Sequence, residues 1–195
     1  MEDVVIVRAL LLVFAFWAGA VPFGVLIARW LGVEIREHGS GNIGATNVTR
    51  VLGKVPGAIV LLLDAAKGAV PVWLALRFCG EQWIVAAAGA LAILGHCFSP
   101  FLDWKGGKGV ATALGVFLVL APAQALVGMG VFVMTFAVTR VPALGSLTAA
   151  LVIAFLLFRQ RHADPALAGL GIATLLLLLF THRGNLARLL TTPGE

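Results

Sequence analysis

Charge is scarce in this sequence. Only 12% of its 195 residues are Asp, Glu, Lys or Arg, whereas 61% are hydrophobic, and the mean hydropathy is +1.03. Soluble domains carry about 25% charged and about 45–50% apolar residues. The shortage of charge therefore excludes a soluble globular enzyme and a disordered chain, and it indicates a polytopic membrane protein.

Motifs for disulfides, metals and nucleic acids are also missing. The two cysteines, Cys79 and Cys97, stand in separate apolar stretches and form no CxxC pair, which excludes a disulfide framework. No carboxylate, histidine or cysteine cluster has ligand spacing, so we expect no metal and no cofactor. The net charge of +5 comes without a long Lys/Arg run, so we expect no nucleic-acid partner. Basic loops that face an anionic membrane surface or an anionic substrate explain the charge better.

Long apolar segments occupy most of the chain, at about 4–30, 56–79, 82–101, 110–139, 142–158 and 165–181. One helical crossing needs roughly 17–25 residues, so the fourth segment is too long for a single span, and Pro122 favours a break within it. Divided there, the chain has seven spans; undivided, it has six. Because acidic residues follow Met1, we expect the first segment to be a retained span and not a signal peptide.

The distribution of cations favours seven spans. With seven spans and the N-terminus outside, nine cations lie inside and four outside; with six spans the ratio is eight to five. We therefore predict an all-α membrane protein, a polytopic bundle of about seven transmembrane helices. It forms one integral-membrane domain over residues 1–195, with the N-terminus outside and the C-terminus in the cytoplasm. The nine inside cations are Arg29, Arg36, Arg50, Lys54, Lys105, Lys108, Arg140, Arg183 and Arg188.

Polar and glycine residues gather in three clusters, at 39–50, 95–112 and 182–188, all cytoplasmic in this topology. In so apolar a chain, such clustering points to a site. The first cluster contains GxGxxG, but an apolar run follows it and not a βαβ unit, which excludes a dinucleotide fold. Its glycines, including Gly41, let backbone N–H groups approach an anion. Further candidate phosphate-binding groups are Ser40, Asn42, Thr46, Asn47 and Arg50.

The second cluster resembles a phosphate loop. Lys105, Gly106, Gly107, Lys108 and Gly109 precede a predicted helix, whose N-terminus favours an anion. It is not a Walker A motif, because Leu102 replaces its first glycine and Gly109 its Ser/Thr, which argues against ATP hydrolysis. His96 ends the preceding span and is a candidate for proton transfer or anion binding.

The third cluster contains His182 and Asn185, which share a face if the segment is helical, and Arg188 would extend that face. A basic tail that snorkels to the membrane surface is the alternative interpretation. Asp64 and Lys67 are also three residues apart, inside the second apolar segment. A charge at mid-membrane costs roughly 2.5–3.5 kcal/mol, so we expect a structural ion pair that supports the site.

Four stretches, in order, resemble the PlsY family of bacterial membrane acyltransferases: GSGNIGATNVTRVLGK (39–54), LLLDAAKGAVPV (61–72), LGHCFSPFLDWKGGKGVATALGVF (94–117) and HRGNLARLL (182–190). The resemblance implies seven helices in the cytoplasmic (inner) membrane, an active site on the cytoplasmic face, and transfer of an acyl group from acyl phosphate to glycerol 3-phosphate. It implies essential roles for Ser40 and Arg50, a glycerol-phosphate loop at 106–109, and contributions from His182 and Asn185. The family tail ends with Gly-x-Glu, whereas Glu195 comes one residue late. The bilayer and the soluble enzyme that makes acyl phosphate are the implied partners.

Acyl phosphate is an activated anhydride, so the simplest predicted mechanism is direct attack by the glycerol 1-hydroxyl. The proton acceptor is open between His182, His96 and the donor's phosphate, and an acyl-enzyme on Ser40 is the alternative route. Neither histidine is followed by the HxxxxD aspartate of thioester-dependent acyltransferases, which weighs against acyl-CoA. A transporter for an anionic solute is the rival class, but the sequence lacks the inverted repeats of many transporters.

Overall fold

A computed structural model of the chain describes the backbone of residues 2–191 and the side chains through residue 189. Within that range the chain contains no strand, which agrees with the predicted all-α class. Loops and two short 3-10 turns join the helices. The helices are α1 (Glu2–Ala20), α2 (Phe23–Trp30), α3 (Ala45–Leu52), α4 (Lys54–Phe78), α5 (Gln82–Cys97), α6 (Val110–Leu120), α7 (Pro122–Thr139), α8 (Pro142–Arg159) and α9 (Pro165–Thr191).

Six helical segments within the described range are long and apolar enough to cross a membrane. The first combines α1 and α2, and the others contain α4, α5, α7, α8 and α9. The predicted break at Pro122 is present, because α6 ends at Leu120 and α7 begins at Pro122. The α6 helix is apolar but has 11 residues, fewer than the roughly 17–25 that a single crossing needs. The protein is thus a multi-pass membrane protein, and the part of the chain that the structure describes contains six full-length candidate spans and one shorter apolar helix.

The first apolar segment, predicted as one continuous run, is interrupted between α1 and α2. Pro22 has no N–H to donate to the last turn of α1, so carbonyl groups there need other partners. The Ser99 hydroxyl donates to the carbonyl of Ala20 at 2.6 Å, and the Lys67 ammonium donates to that of Val21 at 2.7 Å. Side chains that follow α1 by many residues therefore stabilise its end.

Residues up to Leu120 form one compact unit. In this unit α1 packs against α5, and α4 packs against α6 and α3. Both main helix pairs meet at glycines. A Cβ added to Gly19 of α1 would strike the carbonyl oxygen of Ala92 in α5, and one added to Gly115 of α6 would strike that of Ala65 in α4. Small residues at these crossings allow the backbones to approach closely, as is common in membrane helices.

Residues from Ala121 onward form a second compact unit. Here α8 packs against both α7 and α9. The hydroxyl of Thr148 in α8 lies 3.1 Å from that of Thr135 in α7, within hydrogen-bond distance. Asp164 precedes α9 and caps it, because its carboxylate accepts the N–H of Leu167 at 2.8 Å.

Candidate active site

The loop between α2 and α3 curls around the side chain of Asn47, which is only 2% exposed. The Asn47 Oδ1 accepts the N–H of Ser40 at 2.8 Å. Its Nδ2 faces the carbonyl oxygens of Asn42 at 2.9 Å, His38 at 3.0 Å and Ile35 at 3.4 Å. The sequence suggested Asn47 as a phosphate-binding residue, but the structure uses its amide to hold the loop backbone.

Glycines permit this curl and leave Ser40 at its surface. Gly39 and Gly41 have φ angles of 62° and 70°, in the left-handed region that favours glycine. A Cβ on Gly39 would also strike the Oδ1 of Asn47. Ser40, between the two glycines, is exposed, and the Asn42 Oδ1 accepts the N–H of Gly44 at 2.8 Å. The loop thus presents a hydroxyl group on a backbone of fixed shape.

The α3 helix carries the other polar groups of the first cluster. Thr46 and Arg50 are both exposed and, being four residues apart, lie on one face of the helix. The opposite face contains Asn47 and Val48, which are buried. One side of α3 therefore anchors the loop while the other displays a hydroxyl and a guanidinium group.

The second loop is fastened to the end of α5. The N–H of Gly106 donates to the carbonyl of Cys97, and the N–H of Gly107 to that of His96, each at 3.0 Å. The α6 helix begins at Val110, directly after Gly109, as the sequence predicted. Two cations flank the glycines, with Lys105 exposed and Lys108 half-buried.

The structure brings the first two clusters together. Arg36 Nη2 donates to the carbonyl oxygen of Lys105 at 3.4 Å. Below this link, Leu102 of the second loop belongs to the same hydrophobic core cluster as Ile43 and Val48 of the first. From the sequence Arg36 is recognisable only as one of the inside cations; its contact with Lys105 could not be predicted because the two residues are 69 positions apart. The shared core and the link hold the two cation-bearing loops side by side.

A buried triad of Asp64, Lys67 and His96 lies beneath the second loop. The predicted pair forms within α4, with 2.8 Å between Lys67 Nζ and Asp64 Oδ1, and both side chains are nearly inaccessible. The His96 Nδ1 lies 3.7 Å from the same Asp64 oxygen. Gly107 covers the ring of His96 on the loop side, since a Cβ on Gly107 would strike its Nε2. The residue is 4% exposed, so its ring is closed to solvent.

The third cluster lies within α9, which extends past the apolar run to Thr191. His182 and Asn185 are therefore neighbours on a helix and not part of an irregular tail. The Nδ1 of buried His182 lies 2.8 Å from the carbonyl oxygen of Leu178, so Nδ1 carries a proton and the lone pair of a neutral ring lies on Nε2. Arg188 Nε donates to the carbonyl of Gly184 at 3.2 Å. Glu195 lies outside the described residues.

The spans and loops define a class: a multi-pass helical membrane protein with glycine-rich, cation-bearing loops suited to phosphate groups. The chain belongs to the glycerol-3-phosphate acyltransferase family, whose model it matches over residues 9–192. This membership confirms the resemblance to PlsY and favours an enzyme over an anion transporter. The protein is accordingly a membrane glycerol-3-phosphate acyltransferase.

Individual relatives agree with this membership. The glycerol-3-phosphate acyltransferase of Myxococcus xanthus is 53% identical over 182 residues, which cover 92% of this chain and 94% of that one. That of Anaeromyxobacter dehalogenans is 47% identical, with 93% and 92% covered. The crystal structure of PlsY, an integral membrane glycerol 3-phosphate acyltransferase, in its glycerol 3-phosphate form has a TM-score of 0.90 at 39% identity, covering 94% of this chain and 92% of that one. Its lysophosphatidic acid form has a TM-score of 0.89, with the same identity and coverage.

Proposed function

We propose that this enzyme takes its acyl group from acyl phosphate and transfers it to the 1-hydroxyl of glycerol 3-phosphate, which gives lysophosphatidic acid and phosphate. The observation that carries the proposal is the juxtaposition of two cation-bearing glycine loops on one hydrophobic core. Two such loops suit a reaction in which both substrates carry a phosphate. The solved relative, in its glycerol 3-phosphate and lysophosphatidic acid forms, supports the acceptor and the product.

The phosphate groups bind to cations and glycine backbone in this proposal. The arginine of α3 and the two lysines of the second loop neutralise the charge, and the loop N–H groups and polar side chains donate hydrogen bonds. Holding two anions together without cations would be unfavourable, so the cations also bring the reactants into proximity. The proposed binding residues are Gly41, Asn42, Thr46, Arg50, Lys105, Gly106, Gly107, Lys108, Gly109 and Arg188; Ser40 and Asn185 orient the reacting groups.

The reaction needs no covalent nucleophile from the protein. The glycerol 1-oxygen forms a bond to the acyl carbonyl carbon, and the bond from that carbon to the phosphate oxygen breaks. The hydroxyl proton passes to the departing phosphate in the favoured route; transfer to His182 is the alternative, and it requires that a ring only 2% exposed become accessible to the substrate. An acyl-enzyme on Ser40 is the alternative, in which the serine oxygen is acylated first and the glycerol hydroxyl then displaces it.

Donor specificity tests the proposal. We expect purified protein to form lysophosphatidic acid from glycerol 3-phosphate and palmitoyl phosphate, and to form none with palmitoyl-CoA in a parallel reaction. Mass spectrometry of the extracted lipid measures the product, and circular dichroism and thermal unfolding establish that the protein is folded. Product from palmitoyl-CoA at a comparable rate would contradict the assigned donor.

We also infer that the site faces the cytoplasm of a bacterial cell, where a soluble enzyme supplies the acyl phosphate. The charge distribution supports this orientation. In this orientation the exposed Lys54, at the beginning of α4, lies inside the cell. Cys79, which follows the end of α4, lies outside.

Thiol labelling of intact cells tests the orientation. A membrane-impermeant maleimide should label Cys79 before permeabilisation, whereas Lys54→Cys in a Cys79→Ser background should react only afterwards. Cys97 is buried and should contribute little background, which the Cys79→Ser protein alone measures. The opposite order of labelling would place the site outside the cell.

A further inference from the structure

We propose that His96 is a positioning residue for the glycine–lysine loop at 105–109 and that Asp64 in turn positions His96. The inference rests on the proposed function, in which this loop binds a substrate phosphate. It assigns the buried triad a part in substrate binding, where the sequence suggested a catalytic histidine and a separate structural pair.

His96 contacts Gly107 through both its backbone and its side chain. Its carbonyl accepts the N–H of Gly107 at 3.0 Å, and its ring occupies the space that a Cβ on Gly107 would need. Gly107 immediately precedes Lys108. The position of the ring therefore determines how near the loop backbone lies to α5, and with it the position of the Lys108 backbone.

The ring of His96 faces charged groups of α4. The Asp64 carboxylate lies 3.7 Å from His96 Nδ1, and the nearby Lys67 ammonium lies 2.8 Å from that carboxylate. Lys67 also donates to the Val21 carbonyl at the end of α1. Among the described residues, His96 Nδ1 has no hydrogen-bond partner. The Asp64 carboxylate oxygen, at 3.7 Å, is the acidic group that approaches it. A chain of charged and polar groups thus runs from α1 through α4 to the second loop.

Substrate has no open path to the imidazole in this arrangement. The side chain of His96 is 3% exposed, and the one nitrogen that faces the loop is covered by Gly107. A general base must come within hydrogen-bond distance of the hydroxyl that it deprotonates. Support of the loop fits this geometry, and proton transfer does not.

Paired glycine and histidine substitutions test the contact. We expect Gly107→Ala and His96→Ala each to raise the KM for glycerol 3-phosphate about tenfold or more, because the loop is displaced. The double variant should be no worse than His96→Ala alone, since removal of the ring makes room for the new methyl group. Gly106→Ala is the matched control. Its Cβ would strike the backbone carbonyl of His96, which alanine retains, so the effects of Gly106→Ala and His96→Ala should multiply.

Kinetics separate a positioning role from catalysis by His96. We expect His96→Ala to change the KM for glycerol 3-phosphate more than kcat, and to keep the shape of the pH–rate profile. Asp64→Asn, which preserves shape but removes the charge, should raise the same KM in the same direction. His162→Ala, at an exposed histidine between α8 and α9, should leave all of these values unchanged.

Two results would overturn the inference while the wild-type enzyme remains active. One is a multiplied effect in the Gly107→Ala/His96→Ala double variant. The other is a loss of kcat at unchanged KM in His96→Ala, with altered pH dependence. If His96→Ala does not fold, Asp64→Asn decides: a raised KM supports the proposal, and an unchanged KM refutes it. Failure of the wild-type protein to use acyl phosphate would instead refute the proposed donor.

Discussion

Replacement of Asn47 by aspartate should reduce acyl transfer at least a hundredfold, although the two side chains have nearly the same shape. The Asn47 Nδ2 faces three backbone carbonyl oxygens, and aspartate would put a fourth oxygen among them. The lost donors and the buried charge should lower the free energy of unfolding by about 3 kcal/mol or more. Thermal unfolding in detergent and initial rates of lysophosphatidic acid formation measure the two effects.

Asn42→Asp provides a matched control for the stability effect. The Asn42 side chain accepts the N–H of Gly44, and a carboxylate can accept it equally well. We therefore expect the melting temperature of Asn42→Asp to stay within a few degrees of the wild type, while that of Asn47→Asp falls by roughly 10 °C. Equal melting temperatures for the two variants would show that the amide of Asn47 does not hold the loop.

Replacement of Lys108 by glutamine should lower kcat/KM for glycerol 3-phosphate by a factor on the order of 10²–10³. Lys108 is half-buried next to Gly107 and Gly109, whose N–H group and φ angle help to fix the loop, so its side chain is partly removed from water. A charge in such a position acts more strongly on an anion than a fully solvated one. Initial rates at varied glycerol 3-phosphate concentration measure the loss.

Lys54→Gln is the control for general electrostatic attraction of substrate. Lys54 carries the same charge at the beginning of α4, but it is exposed and has no part in the proposed binding. Its replacement should change kcat/KM less than about threefold, because solvent and salt screen exposed charges. Similar losses in the two variants would mean that net charge, and not a placed phosphate contact, governs binding.

Local features of the fold could be predicted from sequence where a single residue decides them. Pro122 indicated the break between α6 and α7, and Gly109 indicated the beginning of α6. The interruption at Pro22 was missed, because hydropathy is continuous across it and the side chains that stabilise it come from distant segments. The helical continuation of α9 through Asn185 was one of two interpretations that the sequence left open, since the polar residues there also resemble a tail.

In the site, too, residue types could be recognised from the sequence, whereas contacts between distant residues could not. The glycines and cations of both loops were proposed as phosphate-binding groups from their residue types alone, because cations and glycine backbone N–H groups suit phosphate. The role of Asn47 was not found, because an asparagine that holds a loop looks like one that binds a ligand until its partners are known. Gly107 covers His96 because the chain reverses its direction between the two residues. The pattern of apolar and polar residues in the sequence does not indicate such a reversal.

The polar contacts that support the end of α1 have a consequence for biosynthesis. Lys67 bonds to a carbonyl 46 residues earlier, and Ser99 to one 79 residues earlier. His96 faces Asp64, which also precedes it. Chains emerge from the ribosome N-terminal end first. Each of these side chains therefore enters the bilayer after its partner has been made, and the two carbonyl groups at the end of α1 gain their side-chain partners only when segments 46 and 79 residues later have been translated.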